Sequence, residues 1–275
     1  MLLVKDAASE KRWQTLMDTY NVPVIAVLTS KLKGEQVLDA RRPVLRGIIT
    51  ALKRGQRETG AVFEALVARV KALLNYNYDE LWRVHRQQAP IDPVFDIPKL
   101  YRKINPARSG FTWEPLDLPA VLKYLPRKTS LGLYGIGPVW LYAAAACHTF
   151  PVQFFQFDAR RGWVNPIVCK ANAPRPPVKV TVRETSQYIH LKTDLPEDYL
   201  VYHPEMSLPL PPSPTAKGVV LDGKGPAWLY TGLALHFRRS PWVAVFYPQL
   251  DRAVVVFSKV KTGQYAISET VTLRK

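Results

Sequence analysis

One short phrase occurs twice in this chain, and it dictates the same local fold each time: Gly135-Ile136-Gly137-Pro138-Val139-Trp140-Leu141-Tyr142 and Gly223-Lys224-Gly225-Pro226-Ala227-Trp228-Leu229-Tyr230. The copies are offset by 88 residues, and the same offset matches Ala146 with Ala234 and His148 with His236. Agreement in register over that length points to a duplication. Each phrase follows an apolar run, Ser130 to Tyr134 and Gly218 to Asp222, and opens a segment with helical spacing. The pattern predicts strand, glycine turn, helix.

Such a turn has a chemical use. Glycine lets the backbone approach a ligand closely, and proline suits the start of a helix, where its missing N–H is not needed. The unpaired N–H groups and the helix dipole favour an anion there, such as a phosphate or a nucleotide backbone. The plainer reading is that the glycines only let strand and helix pack tightly; the retained histidine favours function. Tyr134, Gly135, Gly137, Gly223, Lys224, Gly225 and His236 are therefore candidate ligand-binding residues. Tyr134, Trp140, Tyr142, Trp228 and Tyr230 could stack on bases, or the tryptophans could be core.

The composition narrows the partner. With 38 Lys and Arg against 22 Asp and Glu, the formal charge is +16, more than solubility needs and suited to a polyanion. A hydrophobic fraction of 47% excludes a disordered chain. Cys147 and Cys169 lack metal-ligand spacing and read as reduced core thiols. No signal peptide or membrane-length apolar run is evident, so a cytoplasmic protein without membrane contact is expected.

Proline-bearing segments at Ala89 to Pro93 and Ala171 to Pro177 divide the chain into residues 1–92, 93–174 and 175–275. The first region reads as helix-rich α/β. Helices are expected over Met1 to Tyr20, Val44 to Arg54, Ala61 to Leu74 and Tyr78 to Gln88, with a buried strand over Val22 to Leu28. Arg41, Arg42, Arg46, Lys53, Arg54 and Arg57 form a basic stretch, either a solvated face or a nucleic-acid contact. The last region reads as strands at Val178 to Val182, Tyr188 to Leu191, Trp242 to Phe246, Ala253 to Phe257 and Tyr265 to Leu273, with one helix over Pro226 to Arg239.

From Lys217 through the second glycine phrase to His236, then Pro241 to Phe246 and Arg252 to Val256, the chain resembles the CRISPR-associated ring nuclease three family. The resemblance covers about 176–275, and 98–172 looks like a more diverged copy. It implies two tandem small α/β domains, related to the CRISPR-associated Rossmann-fold sensors. It also implies a role beside type III CRISPR systems, with RNA or cyclic oligoadenylate as ligand and manganese-dependent cleavage of cyclic tetra-adenylate. The family's helix histidine and Asp-Pro-Arg pattern carry over to His148, Asp158 and Arg160, with Asp158 and His148 as metal ligands. In the final region Tyr247 and Gln249 replace the Asp and Arg, so the middle copy alone is catalytic or neither is.

In chemical terms, a phosphodiesterase needs a proton carrier, charge stabilisation and often a divalent cation, roles open to His148, Arg160 and Asp158. The alternatives are that His148 bonds a carbonyl near a helix end and that Asp158 and Arg160 form a surface turn. Three functions compete. The first is a binding module of type III antiviral defence, either a sensor of the messenger or an RNA-binding subunit of the effector complex with its guide RNA. The others are a metal-dependent ring nuclease and a general basic RNA-binding protein. A tandem pair would let two glycine turns share one ligand.

Overall fold

Apolar alternation that switches between strand and helix periods builds a mixed α/β chain. The computed structural model describes residues 1–273 apart from 21, 23, 40–43, 52–58, 75–76, 171–177 and 196–199. Two compact units result, Met1–Trp82 and Arg83–Lys275.

The first unit contains β1 (Leu2–Val4), α1 (Ala7–Thr19), β2 (Ala26–Lys31), β3 (Gln36–Asp39), β4 (Leu45–Thr50) and α2 (Ala61–Leu74), and the chain leaves it within α3 (Tyr78–Gln87). Its sheet has the order β1-β2-β4-β3, parallel except for β3. Two helix expectations are corrected here. Residues 2–4 pair with β2, and the helix begins only after Asp6, whose carboxylate accepts from Ser9 N at 2.7 Å. Leu45–Thr50 is a strand, because Leu45 and Gly47 both turn inward beside β2, and a Cβ on Gly47 would come within 2.8 Å of Val62 Cγ1. Val44, Leu45, Ile48 and Ile49 fit a helical stripe equally well, which is why periodicity misleads there. Of the basic stretch, Arg46 pairs with Glu10 at 2.8 Å; Arg41, Arg42, Lys53, Arg54 and Arg57 lie outside the described residues.

The second unit runs through β5 (Val94–Asp96), α4 (Ile97–Ile104), α5 (Leu118–Tyr124), β6 (Leu131–Tyr134), α6 (Val139–Thr149), β7 (Phe154–Asp158), β8 (Gly162–Val164) and β9 (Val168–Cys169). It continues with β10 (Lys179–Glu184), β11 (Tyr188–Asp194), β12 (Ser207–Leu208), β13 (Gly218–Gly223), α7 (Ala227–His236), β14 (Trp242–Tyr247), β15 (Arg252–Ser258) and β16 (Thr270–Val271). One sheet has the order β5-β6-β7-β8, another β10-β11-β13-β14-β15-β16, and β9 pairs in parallel with β12 in a third. Within them two quartets correspond. β5, β6 and β7 are parallel with β8 antiparallel, and β11, β13 and β14 are parallel with β15 antiparallel. In each, the glycine phrase leaves the second strand and its helix leads to the third.

Leu131 and Leu133 of one sheet, Val219, Leu221, Val243 and Val245 of the other, and Trp140 and Trp228 of the two helices all belong to a single buried core. α6 packs along α7 and also against β14 and β15, so the two halves share their interior within one unit. A buried polar contact joins them as well: Thr231 Oγ1 lies 2.9 Å from Gln156 Oε1. The far face of the larger sheet has its own smaller core, including Tyr188, Val220, Trp242, Ala244 and Val255. The last expected strand shortens to Thr270–Val271. Both cysteines are free thiols, and burial pushes each up to about 12. Among the described residues no helix is long and apolar enough to cross a membrane.

Candidate functional site

The two phrases adopt one backbone conformation. β6 runs into Gly135 at φ 103°, and β13 runs into Gly223 at φ 112°, a region L side chains rarely enter. Pro138 and Pro226 then stand one position before the helix, as N-caps with φ −68°, ψ 147° and φ −70°, ψ 155°. Their carbonyls accept from Leu141 N at 2.9 Å and from Leu229 N at 3.1 Å. Proline thus precedes the first helical turn that the sequence assigned to it, and its fixed φ and missing N–H suit the cap equally.

The glycines differ in what surrounds them. A Cβ on Gly223 would fall 1.9 Å from the Thr193 carbonyl oxygen of the neighbouring strand, so backbone alone forbids a side chain. On Gly137 and Gly225 it would meet only side chains: Ile97 and Leu141 at 3.2 to 3.3 Å in the first case, Leu229 at 2.8 Å and Tyr230 at 3.2 Å in the second. Between the glycines, Lys224 is exposed and Ile136 is 82% exposed. The second turn therefore offers a cation to solvent and the first an apolar side chain.

Two tyrosines brace these turns from the helix side. Tyr142 donates its hydroxyl to the Gly135 carbonyl, and the Tyr230 hydroxyl lies 2.9 Å from Thr193 Oγ1, which is 3.2 Å from the Asp222 carbonyl. Burial pushes both phenols up, Tyr230 to about 12, with the charges of Asp158 and Asp222 adding to the effect on Tyr142 and Tyr230 respectively. Both stay protonated near neutrality and act as hydrogen-bonding struts. Trp140 and Trp228 are fully buried, and Tyr134, Tyr142 and Tyr230 are buried too, so all five aromatic residues beside the turns serve the interior.

The turns open on the same edge of the unit. Trp140, in the first turn of α6, meets Tyr247 at the end of β14 edge-on, with ring centroids 6.2 Å apart. At the other ends of the helices, the Arg238 guanidinium lies 3.7 Å from the centre of the Phe150 ring. α6 and α7 therefore run side by side in the same sense, about 8–10 Å apart axis to axis.

Asp158 and Arg160 lie at this glycine edge. Asp158 ends β7, its Oδ1 accepts from Arg160 N at 2.8 Å, and its charge acts on Tyr142. Arg160 is exposed. His148 lies elsewhere. α6 carries the chain from the end of β6 back to the beginning of β7, and β7 then spans about 13 Å before reaching Asp158. At the far end, His148 Nε2 is 3.1 Å from the Leu125 carbonyl. Burial lowers its proton affinity and the Arg127 charge lowers it further, against the Leu125 carbonyl that raises it. His236 repeats this role at the end of α7, with Nε2 2.8 Å from the Pro211 carbonyl. Both histidines tie a helix end to a carbonyl of the preceding loop.

The structure thus brings Asp158 and Arg160 to the glycine edge and does not bring His148 to them. Among the described residues no group of three or more His, Cys, Asp or Glu side chains could hold a metal ion.

Sequence reasoning named Tyr134 as a ligand contact but missed the partners met on the sheet faces turned away from α6 and α7. Tyr134, just before Gly135, places its hydroxyl 2.9 Å from His85 Nδ1, and the His85 ring stacks on Phe157 at 4.4 Å. Asp222, at the matching position before Gly223, accepts from His190 Nε2 through Oδ2 at 3.0 Å. The offset of 88 between Tyr134 and Asp222 was a signal that these positions correspond.

A family model described as CRISPR-associated protein (Cas_csx3) matches residues 194–267. Those 74 of the 275 residues run from the end of β11 past β15 and include the second glycine turn, all of α7 and the exposed Lys224. Over that stretch the chain is similar to a CRISPR-associated protein.

Proposed function

We propose that the protein is a binding module of CRISPR-based antiviral defence. In this reading the edge bearing its two glycine turns holds RNA or a cyclic oligoadenylate without turning it over. The observation that carries this is the placement of both turns, each with a positive-φ glycine and a helix N-terminus behind it, on one edge of one unit. Backbone N–H groups at the two helix starts favour phosphate oxygens, exposed Lys224 adds a cation, and the formal charge of +16 draws a polyanion. A shared edge also suits a ligand with repeated phosphates, which touches both halves at once. Residues that would complete a hydrolytic site are few: Tyr247 and Gln249 stand where the second half would need Asp and Arg, and His148 is remote from Asp158. The type III effector complex and its guide RNA are the natural setting for such a subunit.

The test is filter binding of labelled linear oligoadenylate and of cyclic tetra-adenylate over a series of salt concentrations. Binding that weakens steeply with salt, with ligand recovered intact, is the expected result. No retention of either ligand at low salt would remove the proposal.

Asp158 and Arg160 beside the first turn favour a second reading, manganese-dependent opening of the cyclic ligand. Linear products from labelled cyclic tetra-adenylate on adding manganese, lost in Asp158→Asn, would replace the binding-only reading with this one.

A further inference from the structure

We propose that the outer face of the second sheet, at Phe246 and the His190–Asp222 pair, is a stacking site for one base of single-stranded RNA. This rests on the RNA-binding reading above and adds a second contact surface to it. The first half of the unit shows what such a site holds. There Tyr134 and Phe157 stand side by side on the outer face, and the His85 ring lies on Phe157 at 4.4 Å and 29° while its Nδ1 meets the Tyr134 hydroxyl at 2.9 Å. Trp163, opposite Phe157 in the hairpin, closes the edge and donates to the His85 carbonyl at 2.7 Å. A flat nitrogen heterocycle is thus stacked on phenylalanine and hydrogen-bonded by the residue before the glycine.

The second half keeps the platform. Strand register sets Asp222 at the position of Tyr134 and Phe246 at that of Phe157, while Ala253 replaces the large Trp163. Phe246 is half-buried and joins neither buried core, and among the described residues no ring contacts it. Asp222 keeps a hydrogen-bond acceptor there. Its Oδ1 accepts from Gly223 N at 2.6 Å and its Oδ2 from His190 Nε2 at 3.0 Å, and a carboxylate has lone pairs left for a base amino group. The His190 and Asp222 side chains are 19% and 17% exposed, so the pair is reachable.

Charge identifies the heterocycle. Lys192 pairs in register with Thr181, and Arg183 with His190, so both cations share the outer face with Asp222, and both are exposed. An aromatic platform with a polar edge and flanking cations suits a nucleobase with its phosphates.

The experiment measures binding of a fluorescein-labelled linear oligoadenylate to the full chain by anisotropy at low salt. Phe246→Leu, which keeps apolar bulk without a π face, is expected to weaken binding about tenfold, and Phe246→Trp to retain it. Lys192→Ala is expected to reduce the salt slope by about one unit. If wild-type protein binds and either Phe246→Leu matches it or the Lys192→Ala slope is unchanged, this site is overturned while the RNA-binding reading stands. If wild-type protein binds no RNA, that reading fails and this site with it.

Discussion

Replacing Gly223 and Gly225 one at a time with alanine separates what the fold needs from what a ligand needs. At Gly223, φ is 112° and a Cβ would sit 1.9 Å from the Thr193 oxygen and 2.8 Å from its carbonyl carbon. A positive φ costs a non-glycine residue about 1–2 kcal/mol. Relieving the contact means moving β11 against β13 by more than an ångström, comparable to overpacking a core, at about 1–3 kcal/mol. The sum, about 2–5 kcal/mol, is a large part of an ordinary stability of about 5–15 kcal/mol. With a urea slope of about 2 kcal/mol/M, the unfolding midpoint of Gly223→Ala falls by about 1–2.5 M. At Gly225 the neighbours are the Leu229 and Tyr230 side chains, which can give way, so Gly225→Ala costs under about 1 kcal/mol. Near-UV circular dichroism suits the measurement, since Trp113, Trp140, Trp163, Trp228 and Trp242 all lie in this unit. Filter binding on the same proteins then asks whether Gly225→Ala, though folded, loses oligoadenylate because its new methyl keeps a phosphate from the helix start. Equal midpoints for the two variants would refute the assignment of Gly223 to the fold. Unchanged affinity in Gly225→Ala would remove close backbone approach as the reason for the second glycine.

Three further outcomes are expected. His148 has its proton affinity lowered in the folded protein, so the unfolded chain binds its proton first on acidification. Stability is therefore full above the unfolded value near 6.5 and lost as pH falls through the folded value; urea midpoints of His148→Gln should decline less than wild type below pH 6.5. Thr231→Val removes the hydroxyl that lies 2.9 Å from Gln156 Oε1 and strands a buried amide, costing about 1–3 kcal/mol; adding Gln156→Leu should recover part of it, and additive midpoints would refute the coupling. The salt series that tests the proposed function should give a log–log slope of several units, and a flat series would argue against phosphate contacts.

The strand, turn and helix of each phrase were legible because glycine and proline restrict the backbone locally, and Gly135 and Gly223 show the conformation those residue types predict. Val44–Arg54 was misread because four apolar residues at helical spacing also suit a parallel strand, and only the partner strand decides between them. The family resemblance made His148 and Asp158 look like companions; a helix that doubles back along a strand puts sequence neighbours at opposite ends. His85 and Tyr134 were invisible as a pair because 49 positions separate them and chain register alone brings them together.

The packing of α6 along α7 has a further consequence. Two separate subunits meeting through such helices would part on dilution, and any ligand site spanning them would vanish with the complex. Here a continuous backbone holds the halves at a fixed effective concentration, so any site along their common edge would persist however scarce the protein is. Two loci in one gene can also change separately, so Lys224 and Ile136 stand at equivalent points of an edge that no exact twofold assembly of identical chains could make unequal.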